Sequence, residues 1–195
     1  MEFVSGNVIE IDREISELDR FALDFIKVIR EHVDYVVVSG YVSIIMGRAR
    51  ASEDIDVIIP ITGREKIDSL FESMKGKFYC FNSNSAHELY DNLKSGIPAR
   101  FARKGAVIPN AEVKFARTLA DNTSLKKAIT ARFGGEELKI SPLEMQVAFK
   151  EKVLRSPKDI EDAMHIRNVA KGHIDEERIR EYKVMLDGIY GRKQR

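Results

Sequence analysis

Two short stretches decide the fold predicted for this chain: VVVSG at residues 36–40 and, after thirteen intervening residues, DIDVII at residues 54–59. The apolar run Val36–Val38 predicts a buried strand, and Ser39 with Gly40 predicts a turn without bulky side chains. Residues 41–46 then predict the opening of a helix. The free backbone amides at such a helix start can face phosphate. The sequence therefore predicts a phosphate-binding turn at Ser39 and Gly40.

The second stretch carries two carboxylates. Residues 54–59 predict a strand, and side chains two residues apart on a strand project from the same face. Asp54 and Asp56 are therefore expected side by side, where they repel each other unless a cation neutralises them. Mg²⁺ prefers hard oxygen ligands and commonly joins a few carboxylates to substrate phosphates. The pattern thus predicts a magnesium site next to the phosphate-binding turn.

This arrangement resembles the signature of the DNA polymerase β-like nucleotidyltransferase superfamily, in which a Gly-Gly or Gly-Ser turn precedes an Asp-hydrophobic-Asp strand by a similar interval. Within it, RASEDIDV at residues 50–57 is most similar to the small abortive-infection toxin-type (AbiEii-like) enzymes, whose motif runs roughly Arg-x-Ser-Glu-Asp-Ile-Asp-Leu. Ser39 departs from the pattern, since those relatives often carry a glycine there. The resemblance implies a nucleotidyltransferase that uses two Mg²⁺ ions with an NTP and moves a nucleoside monophosphate to an acceptor hydroxyl.

The resemblance extends into the C-terminal third and covers about half of the chain. SPLE at residues 141–144, Lys150 and KDIED at residues 158–162 are similar to a second block of the toxin relatives, a lysine-bearing helix followed by an Arg/Lys-Asp-x-x-Asp motif. It implies that Lys150 faces the cleft and that Asp159 and Asp162 contact Lys150 or the nucleotide. The alternatives are an exposed helical lysine and acids that stabilise a helix N-terminus.

Glu112 is the candidate for a third acid, which polymerase-like transfer usually takes from a neighbouring strand. It begins a predicted strand, residues 112–116, whose alternation places Glu112 and Lys114 on one face and Val113 and Phe115 on the other. If the polar face looks into the cleft, Glu112 completes the metal-binding acids and Lys114 contacts phosphate. The alternative is a solvated glutamate at the edge of a strand.

Three polar residues before the paired acids are further candidates for NTP binding. Arg48 and Arg50 can hold a triphosphate through bidentate hydrogen bonds, and Ser52 can orient phosphate. Their structural alternatives are ordinary surface arginines and a local cap of the loop. The four histidines show no metal-ligand spacing, so none is assigned a catalytic role.

Composition favours a cytoplasmic protein. The chain has 195 residues, 44% of them hydrophobic, and contains no apolar run long enough to span a bilayer. Its acidic N-terminal residues are unlike a signal peptide, and the single Cys80 excludes a disulfide within the chain. We therefore expect no membrane partner.

The net charge of +1 conceals an asymmetry. Residues 94–132 carry nine basic and two acidic side chains, a surplus of seven positive charges. The basic residues could form one surface that faces a triphosphate or an RNA. Alternatively, they are spread over several faces, since no interleaved aromatic pattern marks a single-strand binding platform.

The predicted fold class is α+β: a small mixed β-sheet nucleotidyltransferase core flanked by helices, with a C-terminal helical subdomain. The core spans residues 1–118 and includes an N-terminal amphipathic helix over residues 12–33, and the subdomain spans residues 119–195 and packs on it. Further strands are predicted at residues 78–81, 99–103, 106–108 and 112–116. Beyond them the pattern predicts a Gly134-Gly135 hairpin and helices over residues 142–154, 158–170 and 175–187.

Several functional questions stay open at this stage. The acceptor could be an RNA end, a protein side chain or a small molecule. A non-catalytic nucleotide- or RNA-binding module on the same fold is the competing class, and a structural partner subunit is a third. The resemblance also implies a toxin-like role, with an antitoxin or a second copy of the chain as partner.

Overall fold

The computed structural model describes residues 1–5 and 7–191. Its strands are β1 Glu2–Ser5, β2 Val8–Glu10, β3 Val36–Val38, β4 Asp54–Ile59, β5 Phe78–Cys80, β6 Ala99–Arg103, β7 Asn110–Phe115, β8 Ile129–Phe133 and β9 Glu136–Ile140. They form one mixed sheet in the order β1-β2-β8-β9-β3-β4-β7-β6-β5. At its centre, β4 is antiparallel to β3 and parallel to β7, and β7 is antiparallel to β6.

Eight α-helices in the described ranges surround this sheet. They are α1 Glu17–Ile29, α2 Gly40–Ile45, α3 Arg64–Met74, α4 Ala86–Ser95, α5 Leu119–Lys126, α6 Leu143–Phe149, α7 Pro157–Val169 and α8 Glu176–Tyr190. A π-helical turn, Lys150–Leu154, continues α6. No helix in these ranges combines the length and the hydrophobicity that a membrane span requires.

One face of the central strands carries the main hydrophobic core. Alternate residues of β4, such as Ile55 and Val57, are fully buried on this face. Phe25 of α1 packs against Phe78 and Phe101 with ring centroids 5.2 and 5.6 Å away. Each such buried ring contributes roughly 1.5–3 kcal/mol relative to an exposed one. The core therefore fixes which face of β4 remains for polar residues.

The opposite face is covered only in part. A small apolar cluster of Val36, Ile58 and Ala116 packs against Leu125 at the end of α5. Further along the chain, α6 packs against both α7 and α8, and α7 also contacts α2. The helical C-terminal segment thus lies beside the open part of the sheet that carries Asp56.

The predicted fold class is confirmed, and the sheet is larger than predicted. The additions include β1 and β2, whose short sequences EFVS and VIE contain no continuous apolar run that would predict a strand. Helix α1 begins five residues later than predicted, since Ser16 and Asp19 form a capping box that sets its start. The strand predicted at residues 106–108 is wrong. Residues 104–109 instead connect β6 to β7, with Gly105 at a φ of 81°.

The C-terminal helices and the Gly134-Gly135 hairpin are confirmed. The hairpin strands belong to the common sheet, since β8 pairs with β2 and β9 pairs with β3. Strands from both sides of residue 118 therefore share one sheet, and the domain division there stays a prediction. Residues 192–195 of the predicted subdomain lie outside the described residues.

Asp19 joins α1 to the start of α2 through a buried polar network. Its carboxylate accepts hydrogen bonds from Arg13 at 2.6 and 2.7 Å, from Ser16 and from the Tyr41 hydroxyl at 2.7 Å. Burial alone would raise the pKa of Asp19, but the bonds from Arg13, Ser16 and Tyr41 prevail and lower it from 3.8 to about 2. Tyr41 follows the Ser39-Gly40 turn directly, so this network also anchors the turn.

The lowered pKa of Asp19 makes stability depend on pH in a defined direction. An ionised carboxylate that is favoured in the folded state stabilises above the unfolded pKa of 3.8, and this contribution is lost as pH falls toward about 2. We expect the free energy of unfolding of the wild type, measured in urea, to fall by about 2 kcal/mol more than that of Asp19→Asn over this acid range. Parallel pH profiles for the two proteins would contradict the proposed network.

Candidate active site

The predicted carboxylates lie in register across the centre of the sheet. Asp56 pairs with Val38 of β3 on one side and with Glu112 of β7 on the other, and Glu112 pairs with Arg100 of β6. Asp54 lies two residues before Asp56, so both point away from the main core. The structure thus places Asp54, Asp56 and Glu112 on one face of two adjacent parallel strands.

The Ser39-Gly40 turn lies at the end of β3, next to Asp56. Ser39 adopts a φ of 65° and a ψ of −139°, a left-handed conformation that favours glycine, so the turn stores strain. At Gly40, an added Cβ would lie 3.0 Å from both terminal nitrogens of the Arg50 guanidinium. A side chain at residue 40 would therefore push the Arg50 guanidinium away from the start of α2.

A cavity of about 190 Å³ lies over this face of the sheet. Its floor includes Ser39, Asp56 and Glu112, and its wall is built by α5, by α6 and by the π-helical turn. Met145 and Phe149 give that wall an apolar surface. The cavity thus combines an acidic floor with an apolar side, a combination suited to a ligand with a charged part and a flat apolar part.

The electrostatics of Asp56 reflect this position. Burial raises its pKa, the negative charges of Asp54 and Glu112 raise it further, and Ser39 and Lys114 oppose the shift, so that the pKa reaches about 6 instead of 3.8. The protein therefore holds a carboxylate where its charge is poorly compensated by its own residues. Such a shift at a cavity floor is typical of a functional site.

The acids fit a magnesium site that the substrate would complete. Among the described residues, no three His, Cys, Asp or Glu side chains are arranged to enclose one ion. The Glu112 carboxylate lies 2.9 Å from Arg100 Nη2, and the Asp54 carboxylate accepts a hydrogen bond of 2.9 Å from Ser52. Mg²⁺ is usually held by one or two carboxylates together with substrate phosphates and waters. Asp54 and Asp56 lie on one face of β4, where they would supply such carboxylates if an ion binds, and the uncompensated charge at Asp56 fits a cation.

Four residues of the second sequence block and its surroundings form a buried ion cluster, which we call the Asp162 cluster: Asp162, Lys150, Arg48 and Arg50. Asp162 and Lys150 are 0% and 1% exposed, and Lys150 Nζ lies 2.7 Å from Asp162 Oδ2. Arg48 Nη1 lies 3.0 Å from Asp162 Oδ1, and Arg50 donates a hydrogen bond to Asp162 Oδ2. The cluster fastens the loop before β4 to α7.

Three of the predicted nucleotide-binding residues, Arg48, Arg50 and Lys150, contact the carboxylate of Asp162. Lys150 also lines the cavity, and Arg50 lies against Gly40, so these two residues lie at the site. Arg48 bridges to Glu161 at 2.6 Å, on the exposed side of α7. Ser156 caps the start of α7 by accepting a hydrogen bond from the backbone N–H of Asp159, and the Asp159 carboxylate lies 3.6 Å from Lys150 Nζ. The position of Asp159 in the first turn of α7 agrees with stabilisation of the helix N-terminus, and its distance to Lys150 agrees with the predicted Lys150 contact.

Some basic residues of the middle segment lie at the cavity, and others lie away from it. Lys114 lines the cavity, 3.4 Å from Asp121, and Arg100 borders it through Glu112. Arg103 instead pairs with Asp24 of α1, and Arg132 pairs with Glu137 of the β8–β9 hairpin. Arg103 and Arg132 therefore agree with the alternative that the basic residues are spread over several faces of the protein.

Sequence reasoning missed some polar residues that line the cavity. Asp121 forms the capping box of α5 with Thr118 and reaches Lys114. The T-x-x-D pattern at residues 118–121 predicts the cap but gives no sign of the cavity. Gln146, 5% exposed, stands between the buried Met145 and Val147. A polar residue within an apolar helical stretch was the available signal.

Comparison with known proteins supports the fold. The sequence matches no protein-family model and no curated protein. Among solved structures, an antigenic nucleotidyltransferase-like protein from Paracoccidioides brasiliensis aligns with a TM-score of 0.54 and 15% identity, over 91% of this chain and 88% of the other. The antibiotic-resistance factor ANT(2'')-Ia aligns with a TM-score of 0.54 and 13% identity, over 89% of this chain and 95% of the other. The chain therefore has a nucleotidyltransferase-like fold.

The contacts in the Asp162 cluster predict that two substitutions lower the free energy of unfolding by different amounts. Asp162→Ala leaves the buried Lys150 and two arginines without their shared carboxylate, so we expect a loss of about 3–5 kcal/mol in the free energy of unfolding. Lys150→Met keeps both arginines on Asp162 and retains an apolar stem, and we expect a clearly smaller loss. Urea denaturation of the two variants checks this, with Lys171→Met on the surface as a control. Equal losses would contradict the shared role of Asp162.

The raised pKa of Asp56 predicts that replacing this residue stabilises the protein in the absence of ligand. Because its pKa is about 6 when folded and 3.8 as an ordinary value, folding binds a proton between these limits, and stability falls as pH rises through them. Asp56→Asn removes that cost. We expect a gain of about 1–2 kcal/mol at neutral pH, after discounting for partial solvent access, and a smaller gain in acid. Chemical denaturation with a chelator present measures it, and a destabilised variant would contradict the assignment.

Proposed function

We propose that this protein is a metal-dependent nucleotidyltransferase that moves a nucleoside monophosphate from an NTP to an acceptor hydroxyl. The observation that carries the proposal is the pairing of Asp56 with Glu112 on adjacent parallel strands, with Asp54 on the same face and the Ser39-Gly40 turn beside them. The nucleotidyltransferase-like fold of the chain supports it.

In this proposal, some residues bind the NTP and others position the binding residues. In the proposal, the backbone of the Ser39-Gly40 turn and the side chains of Arg50, Ser52 and Lys114 bind the triphosphate. Within the Asp162 cluster, Asp162 holds Arg50 and Lys150 in place, while Arg48 and, from outside the cluster, Asp159 support this arrangement. The apolar wall at Met145 and Phe149 accommodates the base or the sugar.

The reaction joins the acceptor oxygen to the α-phosphorus while the bond from this phosphorus to the bridging oxygen breaks and pyrophosphate leaves. Mg²⁺, held by Asp54 and Asp56, would supply charge neutralisation at the phosphates and favour the oxyanion form of the acceptor. Glu112 orients the acceptor hydroxyl and takes up its proton. For this, the Glu112 carboxylate must weaken or break its ion pair with Arg100, which lies at the solvent-exposed side of the site.

The toxin-like role rests on the resemblance of residues 50–57 and 158–162 to the toxin relatives. It would add a cognate antitoxin as partner, and it would place the protein in the cytoplasm, where NTPs and Mg²⁺ are available. The competing proposal is a non-catalytic nucleotide-binding module, which the close ion pair between Glu112 and Arg100 favours if it persists when NTP binds.

A labelling experiment separates enzyme from binding module. Wild-type protein is incubated with each α-³²P-labelled NTP, Mg²⁺ and total cellular RNA or protein, and incorporation is measured. We expect Asp54→Ala to lower the incorporation roughly 100-fold or more, because it removes a ligand of the charge-neutralising metal. Glu65→Gln, an exposed acid on α3, is the matched control and should leave incorporation unchanged.

Two outcomes would count against the enzyme. If wild type binds NTP but labels no acceptor with any nucleotide, the binding module is the better description. If labelling survives Asp54→Ala, the chemistry does not occur at this site.

A further inference from the structure

The face of the sheet that carries the acids continues across two more strands. One row of paired residues runs from Asp56 through Glu112 to Arg100. The next row runs from Asp54 through Asn110 and Ala102 to Tyr79 of β5. Because directly paired residues of neighbouring strands point to the same side, Tyr79 lies on the face of Asp54 and Asp56, at the free edge of the sheet.

Phe81 extends the first row in the same way. Its backbone N–H donates a hydrogen bond of 2.7 Å to the carbonyl of Arg100, which places it opposite Arg100. Phe81 and Tyr79 are two residues apart, and their rings contact each other with centroids 5.0 Å apart. We call this pair the aromatic shelf.

The aromatic shelf is not part of the hydrophobic core. Tyr79 and Phe81 are 38% and 39% exposed, whereas Phe78, which points to the opposite face, is 1% exposed. The Tyr79 hydroxyl donates a hydrogen bond of 3.0 Å to the carbonyl of Ala106 and so fixes the ring on the loop between β6 and β7. Two large rings are therefore held in a defined place with their surfaces partly open to solvent.

The charge around the shelf favours an anionic partner. Strands β5 and β6, with sequences FYC and ARFAR, contain no acidic residue. The side chain of Arg100 is 60% exposed, lies between the shelf and Glu112, and forms an ion pair of 2.9 Å with Glu112. The release of this pair, which the proposed reaction requires, would leave the charge of Arg100 for a phosphate of the partner. Aromatic rings next to an arginine are the combination that binds stacked bases and backbone phosphates of single-stranded nucleic acids.

We propose that the aromatic shelf binds the acceptor, and that the acceptor is a single-stranded nucleic acid whose terminal hydroxyl enters the site at Glu112. The inference rests on the proposed function and deepens it by naming the class of acceptor. Three strand spacings of about 4.8 Å separate Phe81 from Asp56, a span of about 14 Å. A strand that ends at the acids would thus lay bases a few positions upstream over Tyr79 and Phe81, with Arg100 against its phosphates.

Two other occupants agree less well with the shelf. A small polycationic acceptor would meet Arg100 and aromatic rings with no acid on β5 or β6 to bind it. A second copy of this chain could pair with the edge strand β5, but that strand has only three residues, which offers few backbone hydrogen bonds. Both serve as outcomes of the test.

The test measures binding and transfer separately. Fluorescence anisotropy gives the affinity of a labelled single-stranded RNA of about 12 nucleotides, and of DNA of the same sequence, for wild type, Tyr79→Ala, Phe81→Ala and the double variant. We expect a loss of affinity of roughly 10-fold for each ring and more for both, since a stacked base is worth a factor of that order. Arg100→Gln should weaken binding and lower its salt dependence.

Matched variants exclude a general loss of structure. Tyr79→Phe and Phe81→Tyr keep the rings and should bind the strand within about twofold of wild type. Val184→Ala on α8, at a residue that is 72% exposed, should leave affinity unchanged. Thermal unfolding of all variants identifies any that fail to fold. If an alanine variant fails to fold, the affinities of Tyr79→Phe and Phe81→Tyr are compared with that of wild type instead.

The outcomes distinguish this inference from the proposed function. If affinity is unchanged in the double variant while transfer persists, the shelf is not the acceptor site and the enzyme stands. If affinity falls in the double variant but no acceptor is ever labelled, the shelf stands and the enzyme does not. If wild type binds neither strand, or if Tyr79→Ala changes the molar mass in solution instead of the affinity, the shelf proposal is overturned.

Discussion

The parallel pairing of β4 with β7 is the constraint on which the candidate site depends. It brings Asp56 next to Glu112 although 55 residues separate them in the chain, and it fixes on which face both carboxylates lie. The residues that flank these acids along the strands, such as Ile55, Val57 and Val113, are buried in the main core. A slip of one residue would turn these apolar side chains outward and the acids inward. Packing on one face thus determines the chemistry on the other.

The Asp162 cluster contributes to stability and also positions charged side chains at the candidate site. A carboxylate buried with three cations is costly to desolvate and is stabilised only by its partners. Here those partners include Arg50 beside the Ser39-Gly40 turn and Lys150 in the cavity wall. The helical C-terminal segment therefore does more than cover the sheet, since it sets the position of charges at the site. Loss of Asp162 would act on both stability and ligand binding.

Sequence patterns predicted the central strands, the turn and the C-terminal helices, because apolar runs, capping residues and glycines act locally. They also placed Asp54 and Asp56 on one face, since alternation along one strand suffices for that. They could not predict that Arg48 and Arg50 would meet Asp162, because that contact joins segments more than 100 residues apart. The aromatic shelf escaped for a similar reason. Tyr79 and Phe81 read as parts of an ordinary strand, and only the sheet order places them on the face of the acids.

The long crossover between β4 and β7 also affects how the protein folds. Parallel strands need a connection over the sheet, and such non-local pairing forms slowly because the chain must first close a large loop. Here the loop contains α3, α4, β5 and β6, and the Asp162 cluster adds a contact from still later in the chain. During synthesis, the ribosome must therefore release the chain through α7 before the Asp162 cluster can form. This contact between the loop before β4 and α7 thus forms only after most of the chain has emerged.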